Sequence, residues 1–250
     1  MCTDADSLLP TPPASGQLGD STPRTLTAAD GNSFAAQLAT TSAEGAPGVV
    51  ILPDVRGLQR FYADLAEATA GAGIHAAAID FYGRTAGPHS RDEDFDQGPH
   101  RKAIRDAGVR LDVAAAAEAL RHAGADRVVV WGFCFGGRGA FLQAGEPGID
   151  GAIGCYGWPT RVEENGTSPE LEARAGRVRA PILAVYGGGD GKITAADRDA
   201  YDDALRQSGA TFETVVYPGA PHSFFDRKMA DHADACADLW RRVLAFVTAA

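Results

Sequence analysis

Short apolar runs alternate with amphipathic segments along most of the chain, and this alternation restricts the fold more than any other feature. GVVIL (Gly48 to Leu52), HAAAID from His75, Arg127 to Trp131, Gly151 to Tyr156 and Ile182 to Tyr186 read as strands buried on both faces, and Phe212 to Tyr217 as a further strand. Between them lie segments of helical spacing. From Leu58 to Ala70 the apolar residues Leu58, Phe61, Tyr62, Leu65 and Ala66 recur at that spacing and GAG closes the segment; Val109 to Ala123, Gly137 to Gln143, Ala195 to Ser208 and about Ala230 to Val247 follow the same pattern. Strand and helix in alternation imply an α/β fold with a mostly parallel central sheet and helices on both faces. Ahead of them, NSFAAQLAT (Asn32 to Thr40) and Gly48 to Leu52 read as a first hairpin joined by the turn-rich SAEGAP.

The chain has 250 residues, 45% of them hydrophobic, which is enough for one large core. A single domain is expected over residues 26–250, preceded by a flexible N-terminal tail over 1–25 that is rich in Ser, Thr, Pro and Gly. The 23 basic residues against 33 acidic ones, with no Lys/Arg cluster longer than a pair, argue against nucleic acid and favour a small-molecule partner. No run approaches the roughly 18 apolar residues of a membrane span. The N-terminus has neither basic leader nor apolar stretch, so a cytoplasmic protein with no membrane partner is expected. Cys2, Cys134, Cys155 and Cys236 form no CxxC pair and suggest neither a zinc site nor a disulfide framework. The cluster His89, Asp92, Glu93, Asp94, Asp96 and His100 matches no metal-ligand spacing and reads as a solvated acidic loop.

Two polar stretches interrupt the alternation, Gly83 to Gly108 and Gly157 to Gly176. Each follows a strand end, where ligands of such folds bind, so each is either a pocket wall or lid or a plain surface loop.

Gly132-Phe133-Cys134-Phe135-Gly136 fits the G-x-nucleophile-x-G elbow with Cys in place of Ser. A nucleophile on a strained strand-to-helix turn brings neighbouring backbone close, and glycine on either side avoids the clash. The helix that follows favours a thiolate through its N-terminal N–H groups, and the N–H of Phe135 is a candidate oxyanion donor. The bland reading is a buried structural cysteine in a glycine-rich connection. A thiol needs a base and the base an orienting acid. Asp190 ends the strand PILAVYGGGD and His222 follows the strand ETVVY, giving the nucleophile, acid, base order of α/β-hydrolases; Asp197 is the rival acid. Cys155 is a candidate pocket-lining residue and Cys236 a packing residue.

ILPDVRGL (Ile51 to Leu58), AIDFYGR (Ala78 to Arg84), GFCFGG (Gly132 to Gly137), GCYGW (Gly154 to Trp158), YGGGD (Tyr186 to Asp190) and PHSFF (Pro221 to Phe225) together resemble the dienelactone hydrolase family, from about Leu26 to the C-terminus. The resemblance implies the α/β-hydrolase fold and hydrolysis of an ester or lactone, such as a carboxylate-bearing enol-lactone, through Cys134, His222 and Asp190 and a thioester acyl-enzyme, with no metal or organic cofactor. It further implies an acid that contacts the thiol at Asp54, a second oxyanion N–H at Val55, an arginine that binds substrate carboxylate at Arg84 and a pocket tyrosine at Tyr156. The sequence departs from the family twice: Asp54 replaces a Glu, and Asp226, with Arg227 beside it, stands where a second carboxylate-binding arginine is expected. A general carboxylesterase or thioesterase on the same fold, and a non-catalytic module bearing a reactive thiol, are the competing expectations.

Overall fold

The apolar runs lie side by side in one eight-stranded sheet. In the computed structural model, which describes residues 9–12, 16–163, 166–225 and 230–249, the strands in chain order are β1 (Leu18–Thr27), β2 (Ser33–Thr41), β3 (Gly48–Leu52), β4 (His75–Ile79), β5 (Val128–Phe133), β6 (Gly151–Cys155), β7 (Ile182–Gly187) and β8 (Phe212–Tyr217). Their order across the sheet is β1-β2-β4-β3-β5-β6-β7-β8. β2 runs antiparallel to both its neighbours, and all the other pairings are parallel. Every residue of β3 to β7 is buried, as expected of parallel strands covered on both faces.

The helices are α1 (Arg60–Gly71), α2 (Gly83–Ala86), α3 (Gln97–Ala103), α4 (Asp106–His122), α5 (Phe135–Gln143), α6 (Pro169–Arg174), α7 (Ala195–Ser208) and α8 (Ala233–Ala249). Alternate residues of one strand serve opposite cores. Val49 and Ile51 of β3 belong to the core that holds Phe61, Leu65 and Trp240, whereas Val50 and Leu52 belong to the one that holds Val109, Val113 and Leu120 of α4. Among the described residues no helix is long and apolar enough to cross a membrane.

Two expectations are corrected at the N-terminal edge. Residues 18–25, expected within a flexible tail, belong to β1; Cys2 lies outside the described residues. β1 is a polar edge strand that contains Pro23, so it carries no buried-strand signature. The first hairpin is therefore β1–β2, and β3 does not pair with β2: it lies between β4 and β5. A turn-rich link such as SAEGAP joins strands that need not be neighbours. The two polar stretches hold α2, α3 and the short α6.

Candidate active site

Cys134 caps α5 with φ 53° and ψ −111°, a left-handed conformation imposed where β5 turns abruptly into helix. The turn is held by Cys134 N–H to the Cys155 carbonyl at 2.9 Å and by Arg138 N–H to the Cys134 carbonyl at 3.1 Å. The flanking glycines are steric necessities: a Cβ on Gly132 would overlap the Gly136 carbonyl, and one on Gly136 would overlap the carbonyls of Leu52 and Pro53. Among the described residues the non-glycine positions with positive φ are Cys134, Tyr156 and Ser223. All three lie at this site or beside it in sequence, where strain is expected to gather.

Loops at the ends of β7 and β8 bring Asp190 and His222 to the thiol. His222 Nε2 lies 3.2 Å from Cys134 Sγ, and His222 Nδ1 lies 2.7 Å from Asp190 Oδ2. Asp190 Oδ1 accepts from the N–H groups of Lys192 (2.8 Å) and Ile193 (3.4 Å), which fixes the carboxylate from behind. Burial alone would raise the Asp190 carboxyl. The hydrogen bond and charge of His222, with those two N–H groups, outweigh burial and hold it below the ordinary carboxylate value. A carboxyl lowered by folding contributes stability above its unfolded value, and that contribution is lost as pH falls through the folded one. In denaturant titrations at successive pH values between about 5 and 2, Asp190→Asn is expected to lose less stability than the wild type. An equal loss would contradict this.

Asp197 takes another role. Its Oδ2 accepts from Thr194 in the capping box of α7, and its Oδ1 accepts from Trp158 Nε1 (3.3 Å) and Thr160 Oγ1 (2.5 Å). It thereby holds the wall after β6 in place.

The thiol opens into a cavity of about 400 Å³ lined by Val55, Arg101, Cys134, Phe135, Arg138, Tyr156, Trp158, Arg161, Glu163, Lys192 and His222. Among the described residues, the Val55 N–H makes no hydrogen bond within the protein, although the N–H groups of Asp54, Arg56, Gly57 and Leu58 around it all do. The Phe135 N–H opens α5 and has no carbonyl four residues back within its own helix. Both are suited to receive developing negative charge. Tyr156 forms a wall, its ring 5.2 Å from that of His222.

The carboxylate of Asp54 is fully buried and accepts from Arg56 N–H at 2.8 Å; it closes the turn after β3 and does not cap α1, which begins behind Gln59. Arg84 is a correction. It does not line the cavity: its guanidinium is bound by Asp30, by Asp112 Oδ1 (2.8 Å) and by the Gly108 carbonyl (3.0 Å), which ties α2 to the β1–β2 turn and to α4. Burial, only partly offset by Asn32 and Arg84, pushes the Asp112 carboxyl up to about 6. Cys155 is also corrected, from pocket to core: it is fully buried and accepts from Trp131 Nε1 at 3.3 Å. Cys236 packs as expected, its thiol donating to the Phe224 carbonyl at 3.6 Å. Asp226 and Arg227 lie outside the described residues.

The cavity's cations come from elsewhere in the chain. Arg101 of α3 reaches in from the first polar stretch, 5.7 Å over the Phe135 ring, and binds Glu163 at 3.1 and 3.3 Å. Arg161 and Glu163 come from the second stretch and pair at 3.1 Å. Arg138 is held by Asp106 through two 2.9 Å bonds. Both stretches thus supply pocket walls, but nothing in their local sequence singles out Arg101 or Glu163 from the surrounding charges.

Comparison with known proteins places the chain in a family. The model of the dienelactone hydrolase family matches residues 34–250. A protein of Escherichia coli strain K12, named as a candidate carboxymethylenebutenolidase, is 30% identical over 207 residues, 79% of this chain and 75% of its own. A Bradyrhizobium protein named as a candidate 2-oxo-3-(5-oxofuran-2-ylidene)propanoate lactonase is 30% identical over 214 residues, 80% of this chain and 83% of its own. The crystal structure of a candidate dienelactone hydrolase from Klebsiella pneumoniae superposes with a TM-score of 0.78 at 26% identity, covering 92% of this chain and 99% of that one.

Proposed function

The chain belongs to the dienelactone hydrolase family and is an ester or lactone hydrolase, and on that premise we propose that it opens a small carboxylate-bearing enol-lactone through Cys134, His222 and Asp190. The observation that carries this reading is the continuous chain of contacts Sγ···Nε2 at 3.2 Å and Nδ1···Oδ2 at 2.7 Å, which begins at two residues that line the cavity, Cys134 and His222. In the proposed cycle, Cys134 attacks the carbonyl as a thiolate while the N–H groups of Val55 and Phe135 hold the oxyanion. His222 gives its proton to the leaving oxygen, which completes a thioester. It then takes a proton from the water that hydrolyses the thioester. Asp190 keeps Nδ1 protonated, so that Nε2 faces the sulfur.

The preference for an anionic substrate is supported by charge. In a chain of net charge −10, the cavity lining carries Arg101, Arg138, Arg161 and Lys192 against the single carboxylate of Glu163. Arg84 does not line the cavity and Arg101 does, so Arg101 is the residue assigned to the substrate carboxylate. The competing reading, a general carboxylesterase or thioesterase, draws on that loss of Arg84 and on Glu163, which already neutralises part of the lining.

A substrate panel separates the two. Arg101→Gln is expected to raise KM for a dienelactone about tenfold, the worth of one charge-assisted hydrogen bond, while leaving kcat/KM for an uncharged aryl ester within about twofold. Equal effects on both substrates would favour the general esterase. A wild type that prefers the aryl ester would do the same.

A further inference from the structure

We propose that Tyr82, together with Tyr62, acts as a positioning residue that sets the direction of the Val55 N–H. This rests on the reading of Cys134 and the oxyanion donors given above. Residues 54–57 form a β-turn closed by Gly57 N–H to the Asp54 carbonyl at 3.1 Å. The amide that carries the Val55 N–H is the peptide whose carbonyl is thus held, and in a planar trans peptide the N–H points opposite to the carbonyl.

Such a turn is vulnerable at its central peptide, the unit that rotates between turn types. Here that peptide joins Val55 to Arg56, and both of its ends are bound. Its carbonyl accepts from Tyr82 Oη at 2.5 Å, and its N–H donates to Asp54 Oδ1 at 2.8 Å. The preceding peptide is bound too, since Asp54 N–H donates to Tyr62 Oη at 3.0 Å. The oxyanion amide therefore sits between two immobilised neighbours. Its own N–H is the member of this set with no acceptor among the described residues.

Both tyrosines are fully buried, so each phenol is fixed by packing rather than by solvent. Tyr82 is wedged between Phe81 and Phe95, with ring separations of 4.7 and 5.3 Å, and its backbone N–H is held by Asp80 Oδ2 at 3.0 Å. The same carboxylate group accepts from Leu58 N–H at the far end of the turn, at 3.1 Å. Burial, followed by the neighbouring Asp80 charge, pushes the Tyr82 phenol well above its ordinary value, so it remains a donor wherever the enzyme works.

The test compares reactions that do and do not build an oxyanion. Tyr82→Phe is expected to lower kcat on an aryl ester about tenfold, a part of the loss seen when an oxyanion donor is removed outright, with KM within about twofold. Affinity for an aryl trifluoromethyl ketone, whose adduct with Cys134 places an alkoxide in the same position, should fall by a similar factor. The rate of Cys134 alkylation by iodoacetamide, which forms no oxyanion, should stay unchanged. Unaltered kcat, or alkylation slowed as much as turnover, would overturn the proposal. Tyr62→Phe, which removes the acceptor for Asp54 N–H, should show the same signature and serves if the first variant fails to fold. Cys134→Ala in the same assays separates the two levels: retained turnover there defeats the underlying site reading, whereas its loss alongside a fully active Tyr82→Phe defeats only the positioning role.

Discussion

Cys134→Ala is expected to lower kcat/KM on an aryl ester by about 10⁴-fold or more, because removal of the proposed nucleophile leaves only binding and oxyanion stabilisation. The thiol is partly exposed at the cavity and is not a core side chain, so the variant should fold and melt close to the wild type. Steady-state kinetics with a thermal melt on the same preparation checks both statements. Full turnover by the folded variant would remove Cys134 from the chemistry.

The second large effect is on the backbone. Gly136→Ala would drive a methyl group into the carbonyls of Leu52 and Pro53, at the end of β3 from which the proposed oxyanion turn departs. Those are backbone atoms and cannot yield as a flexible side chain would. Overpacking of this kind costs about 1–3 kcal/mol or more, and here the relaxation displaces β3 from α5: the turn after β3 carries the Val55 N–H and α5 opens on the Phe135 N–H. Stability and activity should therefore fall together, with activity nearly abolished. Gly71→Ala is the control: it lies at the end of α1 in open space. It should be neutral or slightly stabilising, by up to about 1 kcal/mol. Denaturant titration of the pair decides, and a Gly136→Ala protein as stable and active as Gly71→Ala would contradict the packing described for the elbow.

How much of this was legible in the sequence depended on whether the signal was local. β3 to β7 announce themselves because strands buried on both faces are continuously apolar, and α1, α4 and α7 because one face of each is. β1 leaves no such signal because an edge strand facing water needs no apolar face. The pairing of β3 with β4 and β5 is not legible locally, because a turn between two strands does not say whether they are neighbours. The elbow was legible for a steric reason: only glycine fits on either side of Cys134, and the requirement is written within five residues. Asp190 and His222 could be picked out by position, each just beyond a strand end. Arg84 could not be resolved this way, since its partners Asp30 and Asp112 lie 54 and 28 residues away and outcompete the cavity for its guanidinium. Arg101 and Glu163 meet across 62 residues and became visible only when both polar stretches were folded over the thiol. The same holds for Tyr62 and Tyr82, which read in sequence as a core helix residue and part of a short motif, yet in the fold grip one turn from two sides.

The central claim is that catalysis passes through a thioester on Cys134, and the most direct measurement is mass spectrometry of the enzyme acid-quenched during turnover of an aryl ester. The account predicts a mass increase of one acyl group, mapped to the peptide that contains Cys134, absent from Cys134→Ala and discharged when substrate is exhausted. An acyl group found on another residue while turnover continues, or an adduct on Cys134 that persists without turning over, would contradict it.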